Sequence, residues 1–234
     1  MLPSIPQPTF DITIPSLKKK VKFRPYLAGE EKILLMAMEG QDSVSDKDLV
    51  DAVKQIINNC CLQELDIESL AIFDLDYIFI KLRSKSVNNV VDVSYKDLED
   101  EKIYRFEINL DKIEMTENPD HKSKINITDD ITMVLKYPTL IVAERMSNAT
   151  TQVEIFNIML LNCVDKIYDK ETVYDDYSVE ELVPWLEKLS INAFEQIKTF
   201  FDTLPQLKHI IEYTNEKGTE RRIELSSLRD FFTL

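Results

Sequence analysis

The stretch FDLDYIFIKLRSKS, residues 73–86, predicts the helix on which the fold depends. Wound at about 100° per residue, its apolar side chains separate onto two nearly opposite faces. The first face holds Leu75, Ile78, Phe79 and Leu82, and the second holds Phe73, Tyr77 and Ile80. A helix with two apolar faces requires a packing partner on each side. We therefore expect these residues to form a core helix that is buried on both sides.

The charged residues of this helix follow its dipole. Asp74 and Asp76 lie in the first turn, and Lys81, Arg83 and Lys85 lie towards the other end. Negative charge near the N-terminus of a helix and positive charge near its C-terminus are both stabilising. Because Asp74 and Asp76 fall on opposite flanks, capping and dipole compensation explain them better than acid–base catalysis does.

The composition is that of an acidic globular chain. With 234 residues, of which 44% are hydrophobic, it can bury the core of one large domain or of two small ones. The net charge of −14 disfavours binding to the phosphate backbone of nucleic acid. The basic cluster at residues 18–22 is interpreted as solvated charge in preference to a contact for an acidic partner.

Neither secretion nor membrane binding is indicated. No apolar run approaches the roughly 18–20 residues that span a bilayer, and the N-terminus lacks the pattern of a signal sequence. The three cysteines, Cys60, Cys61 and Cys163, include an adjacent pair, which argues against a disulfide framework. We expect reduced thiols and a cytoplasmic chain.

Residues 1–22 are predicted to form an extended N-terminal arm. They contain four of the nine prolines, and each proline removes a hydrogen-bond donor and favours extended backbone. Phe10, Ile12 and Ile14 alternate with polar residues, so the arm either adds a strand to a sheet of this chain or of a partner, or is a flexible tail. These three side chains are candidate partner-binding residues.

Residues 23–87 are predicted to form a helical unit. Its first helix, residues 27–39, ends at Gly40, where a left-handed residue is favoured. Ser45 caps the second helix. The apolar stripe of that helix consists of Leu49, Val53, Ile56, Ile57 and Cys60. The core helix of residues 73–86 completes the unit.

Residues 88–128 are predicted to form a small inserted sheet. Apolar and polar residues alternate at 90–95 and 103–110, and many of them are β-branched or aromatic, which indicates a hairpin. Residues 113–115 and 124–127 are candidates for additional short strands around the turn at Asn118-Pro119.

Residues 129–234 are predicted to form a second helical unit. Residues 129–140 fit either a short helix or a buried strand. Thr151 opens a capping box and a helix that extends to Ile167. Ser178 opens a second box and a helix that kinks or restarts at Pro184.

The C-terminal part of this unit is predicted to be a hairpin followed by a last helical turn. The two strands, residues 208–214 and 221–225, flank a turn that contains Gly218. The predicted class is therefore α+β, predominantly helical, with a central inserted β-hairpin or small sheet and a second β-hairpin near the C-terminus.

No arrangement of residues indicates an active site. Three glycines leave no room for a phosphate-binding loop. His121 and His209 are far apart, and no spacing of His, Cys and carboxylates is typical of a metal site. Cys61 has no neighbouring histidine to activate it as a nucleophile. We predict a protein that is not an enzyme and that uses no cofactor, metal or small-molecule substrate.

For Phe200, Phe201 and Trp185 we expect core positions in preference to an exposed docking groove, because aromatic residues that recur at helical spacing are usually buried. Phe231 and Phe232 are different, since they lie close to the C-terminal end of the chain. There they can dock in the groove of a partner as easily as in the core of this chain. They complete the set of candidate partner-binding residues.

Five segments together resemble one protein family. They are FRPYLAGEEKILLMAME at 23–39, FDL at 73–75, RSKSV at 83–87, LKYPT at 135–139 and LSSLRDFF at 225–232. In this order they resemble the baseplate hub assembly family of T-even-type contractile-tailed bacteriophages. The resemblance implies a non-enzymatic, chaperone-like factor that binds hub or tail proteins in the cytoplasm of the infected host. The alternative that it leaves open is a structural subunit that is retained in the virion tail baseplate.

Two further expectations concern the family. The resemblance implies that relatives often carry cysteine pairs at hairpin tips, in the manner of zinc ribbons. The hairpins of this chain contain no cysteine, so a metal-stabilised version is not expected. Self-association remains open.

Overall fold

The computed structural model describes residue 3 and residues 5–38, 46–116 and 118–232. The chain divides into two compact units. Unit 1 comprises Met1–Ile67, Phe73–Thr116 and Gln206–Leu234, and unit 2 comprises Glu68–Ile72 and Glu117–Pro205. Each unit therefore draws on more than one of the four segments into which the sequence was divided.

Helices and short antiparallel strands alternate along the chain. The helices are α1 (Ala28–Met38), α2 (Asp46–Cys60), α3 (Ile72–Ser86), α4 (Leu140–Ser147), α5 (Gln152–Cys163), α6 (Val179–Leu186), α7 (Ile191–Asp202) and α8 (Leu228–Phe232). The strands are β1 (Phe10–Ile14), β2 (Lys19–Phe23), β3 (Val90–Lys96), β4 (Ile103–Asn109), β5 (Lys124–Asn126), β6 (Thr132–Leu135), β7 (Val164–Tyr168), β8 (Val173–Tyr174), β9 (His209–Thr214) and β10 (Glu220–Leu225). These elements confirm the predicted α+β class.

Helix α3 is the predicted core helix, and both of its apolar faces are buried. The buried side chains are Leu75, Ile78, Phe79 and Leu82 on one face and Phe73 and Ile80 on the other, while Tyr77 is half-buried. Asp74, in the first turn, is completely buried and accepts hydrogen bonds from the backbone N–H (2.9 Å) and the hydroxyl of Ser16. This carboxylate therefore ties the β1–β2 turn to α3, a role that dipole compensation alone did not suggest.

The segment predicted as an extended arm contains the antiparallel hairpin β1–β2. Ile12 faces Val21 across the hairpin. Ile12 and Ile14 are buried, and so is Phe23 on the second strand. The side chains that alternate along β1 therefore pack in unit 1 itself, with no partner strand needed to cover them.

The other two hairpins of unit 1, β3–β4 and β9–β10, are joined at their tips. The Tyr213 hydroxyl donates to Asp97 at 2.7 Å, and Arg221 Nε donates to the same carboxylate at 3.1 Å. These donors hold the pKa of Asp97 down at about 2. Asn215 Nδ2 donates to Glu99 at 2.7 Å. Both hairpins were predicted from the sequence, and these bonds make them one packed structure.

Unit 2 is built on a four-stranded antiparallel sheet in the order β5-β6-β7-β8. Its core contains Ile125, Met133, Leu135, Leu160, Val164, Ile167, Leu182, Ile197 and Phe200. The strand predicted at 124–127 forms as β5, but it belongs to this sheet and not to the inserted hairpin. Of the two alternatives for residues 129–140, the structure contains the strand, β6, and the helix α4 that follows was not predicted.

The predicted helix from Thr151 to Ile167 is wrong in its second part. Helix α5 ends at Cys163, and Val164 begins the strand β7. Val164 and Ile167 would be buried in a helix as well as in a strand, so the apolar pattern alone did not distinguish the two structures. Pairing with β6 decides the outcome, since Ile167 lies opposite Met133 in the sheet.

The predicted helix caps at Thr151 and Ser178 are both confirmed, but only one of the two predicted capping boxes is complete. Ser178 and Glu181 form the full box, whereas Thr151 accepts a hydrogen bond from Glu154 N and the Glu154 side chain accepts from Thr150 N instead of Thr151 N. Helix α6 continues through Pro184, and the restart comes at Ser190, which caps α7. The predicted caps at Gly40 and Ser45 lie outside the described residues.

Two expectations about chain chemistry can be compared with the structure. Among the residues that the structure describes, no helix is long and apolar enough to cross a membrane. The three cysteines are free thiols, and burial raises the pKa of Cys60 to about 11 and that of Cys163 to about 12. Both buried thiols are therefore protonated at neutral pH.

Candidate functional site

The first turns of α5 and α7 present apolar side chains to solvent. Thr151 and Ser190 cap these helices by accepting hydrogen bonds from Glu154 N (3.1 Å) and Ala193 N (3.2 Å). Apolar residues lie one or two positions after each cap and again one turn later, at i and i+3 on the same side of the helix. We call the four residues Val153, Phe156, Ile191 and Phe194 the α5–α7 patch.

The patch is unusual for its exposure. Ile191 is 83% exposed, Val153 70% and Phe194 42%, and only Phe156 is half-buried. The rings of Phe156 and Phe194 contact each other across the two helices, with centroids 5.0 Å apart and a tilt of 47°. A contiguous, exposed apolar surface is typical of a site of protein–protein contact.

A row of aromatic rings fixes the patch to the core of unit 2. The Phe156 ring meets Phe201 edge to face at 6.0 Å, and Phe201 meets Phe200 in the same way at 5.2 Å. Phe200 is only 1% exposed. Because the Phe156 ring already packs against Phe201, binding at the patch orders few additional rotamers and so loses little conformational entropy.

The residues predicted to bind partners lie elsewhere. Ile12, Ile14 and Phe231 are buried in unit 1, and Phe10 is half-buried on β1. Phe232 ends α8, and its side chain lies outside the described part of the structure. In this conformation the buried three contact their own unit, so their proposed role in binding requires a rearrangement that the α5–α7 patch does not.

Sequence reasoning did not single out the α5–α7 patch. Val153, Phe156 and Phe194 fall on the apolar stripes of their helices, and a stripe does not reveal whether another element covers all of it. One signal of an exposed apolar surface was present in the sequence. Ile191 is an apolar residue that lies next to the helix cap Ser190 and away from the apolar stripe of α7.

Ionisable groups with displaced pKa values occur in both units. Burial raises the pKa of Asp76 on α3 to about 7. The His121 ring stacks on Tyr137 and Phe200, its Nδ1 lies 3.0 Å from Thr203 Oγ1, and burial lowers its pKa. Among the described residues, no group of three or more His, Cys, Asp or Glu side chains is placed to hold a metal ion. The arrangement suits binding by surface contact.

Comparison with known proteins assigns the family. The family model for T4 bacteriophage base plate proteins matches residues 6–233, which leaves out only the first five residues and the last one. No curated protein and no solved structure matches the chain significantly. The match extends across both units and includes the core helix α3 and the α5–α7 patch. The chain belongs to the T4 bacteriophage base plate protein family.

Proposed function

We propose that this baseplate protein is an assembly factor that binds hub or tail proteins of the phage during virion assembly, without catalysing a reaction. The α5–α7 patch is the observation that carries the proposal, because it offers an apolar surface that the described residues of the chain leave exposed. Family membership supports partners within the baseplate. We place this work in the cytoplasm of the infected host.

The size of the patch suits a contact that forms and is later broken. Full burial of a Val, Ile or Phe side chain contributes roughly 1.5–3 kcal/mol, and association costs several kcal/mol in lost translational and rotational freedom. A few anchors therefore give reversible binding, as in small transient interfaces. We expect the factor to cover an interface of a hub protein until the next subunit displaces it.

The charge of the chain fits the same role. With a net charge of −14 it repels nucleic acid, which is abundant in an infected cell. An acidic factor also keeps a partly assembled, apolar hub surface dispersed while it is bound.

The experiment that tests the proposal compares two apolar residues of nearly equal exposure. Ile191 in the patch is 83% exposed and Leu98 in unit 1 is 86% exposed. We expect Ile191→Lys to weaken binding to separately expressed hub or tail proteins by about tenfold or more, because it places a charge in a desolvated contact. Leu98→Lys should bind like the wild type, and both variants should keep the wild-type circular dichroism spectrum.

Isothermal titration calorimetry with each purified hub and tail protein measures the effect. Equal binding by the wild type and Ile191→Lys, or an equal loss in both variants, contradicts a role for the patch. If no hub or tail protein binds the wild-type chain, the assembly role itself fails.

The second candidate is a structural subunit that stays in the finished baseplate, a role that an exposed apolar surface also supports. Mass spectrometry of purified virions separates the two roles. Stoichiometric presence of the chain favours the structural subunit, and its absence from virions favours the assembly factor.

A further inference from the structure

A groove of about 380 Å³ lies in unit 2 between the β7–β8 hairpin and helix α6. Its walls include the aromatic rings of Tyr168, Tyr174, Tyr177 and Trp185. Tyr174 is 48% exposed, and the other three are half-buried. The groove shares no residue with the α5–α7 patch, so its role is a separate question.

Hydrogen bonds hold two of these rings in place. The Tyr177 hydroxyl donates to the carbonyl oxygen of Val164 at 2.9 Å. The Tyr174 hydroxyl donates to Asp169 Oδ2 at 3.2 Å. With their hydroxyls engaged in these bonds, the tyrosines are held as fixed walls of the groove.

The same groove has an acidic rim formed by Asp169, Asp176 and Glu181. The backbone N–H groups of Glu171 and Thr172 donate to Asp169 and lower its pKa. The backbone N–H and hydroxyl of Ser178 lower the pKa of Glu181 in the same way. These two carboxylates are therefore ionised at neutral pH.

The segment that builds the rim is acidic throughout. Residues 169–181 contain six carboxylates and one lysine, Lys170. That lysine pairs with Asp130, which leaves the six carboxylates of the segment without a basic residue of their own. A positively charged partner is the one whose approach this field favours.

We infer that the groove binds an arginine or lysine side chain carried by a basic segment of another protein. Aromatic faces attract a guanidinium or ammonium group, and Trp and Tyr attract it most strongly. The carboxylates of the rim supply the opposite charge, and the volume of the groove admits an anchoring side chain together with its neighbours.

Other occupants fit less well. A second copy of this chain carries the same net charge of −14, so its approach is repelled. A bare metal ion would need several ligands, and among the described residues no group of three or more His, Cys, Asp or Glu side chains is placed to hold one. An acidic ligand meets charge of its own sign at the rim.

The groove carries its own reporter, because Trp185 is the single tryptophan of the chain. The probe is a synthetic five-residue peptide, blocked at both ends, with two arginines on either side of a leucine. We expect the emission of Trp185 to change saturably as the peptide is added. The affinity should be at least tenfold higher than that of a peptide with glutamines in place of the arginines. The affinity should fall severalfold between about 50 and 300 mM salt, since the Debye length shortens.

Two variants test the two parts of the groove. Asp176→Asn removes an exposed rim carboxylate and should weaken the peptide about two- to fivefold, the size of a solvent-exposed ion pair. Tyr174→Ala removes one aromatic wall and should weaken it by a similar factor. Asp202→Asn, which removes an exposed carboxylate at the end of α7 outside the groove, is the matched control and should leave the affinity unchanged.

Three outcomes overturn the inference. They are an emission that does not change up to millimolar peptide, equal binding of the arginine and glutamine peptides, and an emission change with chain concentration alone, which indicates a second copy in the groove. Ile191→Lys should bind the arginine peptide like the wild type. Failure of the groove and failure of the α5–α7 patch are therefore observed separately.

Discussion

At the scale of single residues, the Asp76 carboxyl has a pKa far above its ordinary value. It lies on the core helix α3, retains some solvent contact, and has no hydrogen bond or ion pair within the described part of the chain. Burial raises its pKa from 3.8 to about 7. The folded chain therefore binds this proton more tightly than the unfolded chain does. The contribution of this tight proton binding to the free energy of unfolding is fully present below pH 3.8 and is lost as the pH rises through 7.

The Asp76→Asn variant removes this titration. We expect it to raise the free energy of unfolding by about 1–2 kcal/mol at pH 8, because the charged carboxylate no longer has to be desolvated and solvent contact moderates the gain. At pH 4 the gain should nearly vanish. Urea unfolding at both pH values measures it, with Asp202→Asn as the exposed control. A variant less stable than the wild type at pH 8 contradicts this description of Asp76.

At the scale of elements, the tips of two hairpins share one buried carboxylate. Asp97 is 1% exposed and accepts hydrogen bonds from Tyr213 and Arg221. Its pKa is lowered to about 2, so the stability that it contributes is present above pH 3.8 and is lost as the pH falls through 2. The contact joins β3–β4 to β9–β10, more than a hundred residues apart in the chain.

Tyr213→Phe tests this joint between hairpins. Loss of the hydroxyl leaves Asp97 with one donor fewer, so we expect a thermal unfolding midpoint at pH 7 that is a few degrees lower than that of the wild type. Tyr95→Phe is the matched control, because Tyr95 packs against Tyr213 and its hydroxyl makes no hydrogen bond to the described chain. The difference between the two variants should shrink as the pH approaches 2. Equal midpoints at pH 7 show that the joint does not stabilise unit 1.

Elements with a local signature could be predicted from the sequence. Helix α3 follows from its two apolar faces, and the β9–β10 turn follows from Gly218, whose φ of +84° few other residues adopt. Strand β7 could not be predicted, because the apolar spacing of α5 continues through Val164 and Ile167. Only the distant partner β6 makes these residues a strand, and sequence periodicity contains no information about that pairing.

At the scale of the whole molecule, the chain order conceals the two units. Unit 1 combines residues near both ends with the α3 and β3–β4 segments, and unit 2 takes most of its residues from one later stretch. The boundaries expected after residues 22, 87 and 128 follow changes in the local pattern of residues, whereas the units follow contacts between distant segments. The local residue pattern therefore located the elements and did not reveal how they group.

The candidate site shows the same limit. Interaction residues were expected near the ends of the chain, and Ile12, Ile14 and Phe231 proved to be buried there. The exposure of Val153 and Phe194 depends on which helix faces remain uncovered after folding. That property belongs to the tertiary structure, so an apolar stripe in the sequence does not reveal which of its residues remain at the surface.

Photo-crosslinking in infected cells tests the central claim most directly. A photoreactive amino acid replaces Ile191 in one variant and Leu98 in another, two positions of nearly equal exposure. After irradiation during virion assembly, mass spectrometry identifies the attached proteins. We predict that the variant at position 191 links to hub or tail proteins of the baseplate and that the variant at position 98 does not. Links to these proteins from position 98 alone, or from neither position, contradict the claim that the α5–α7 patch binds them.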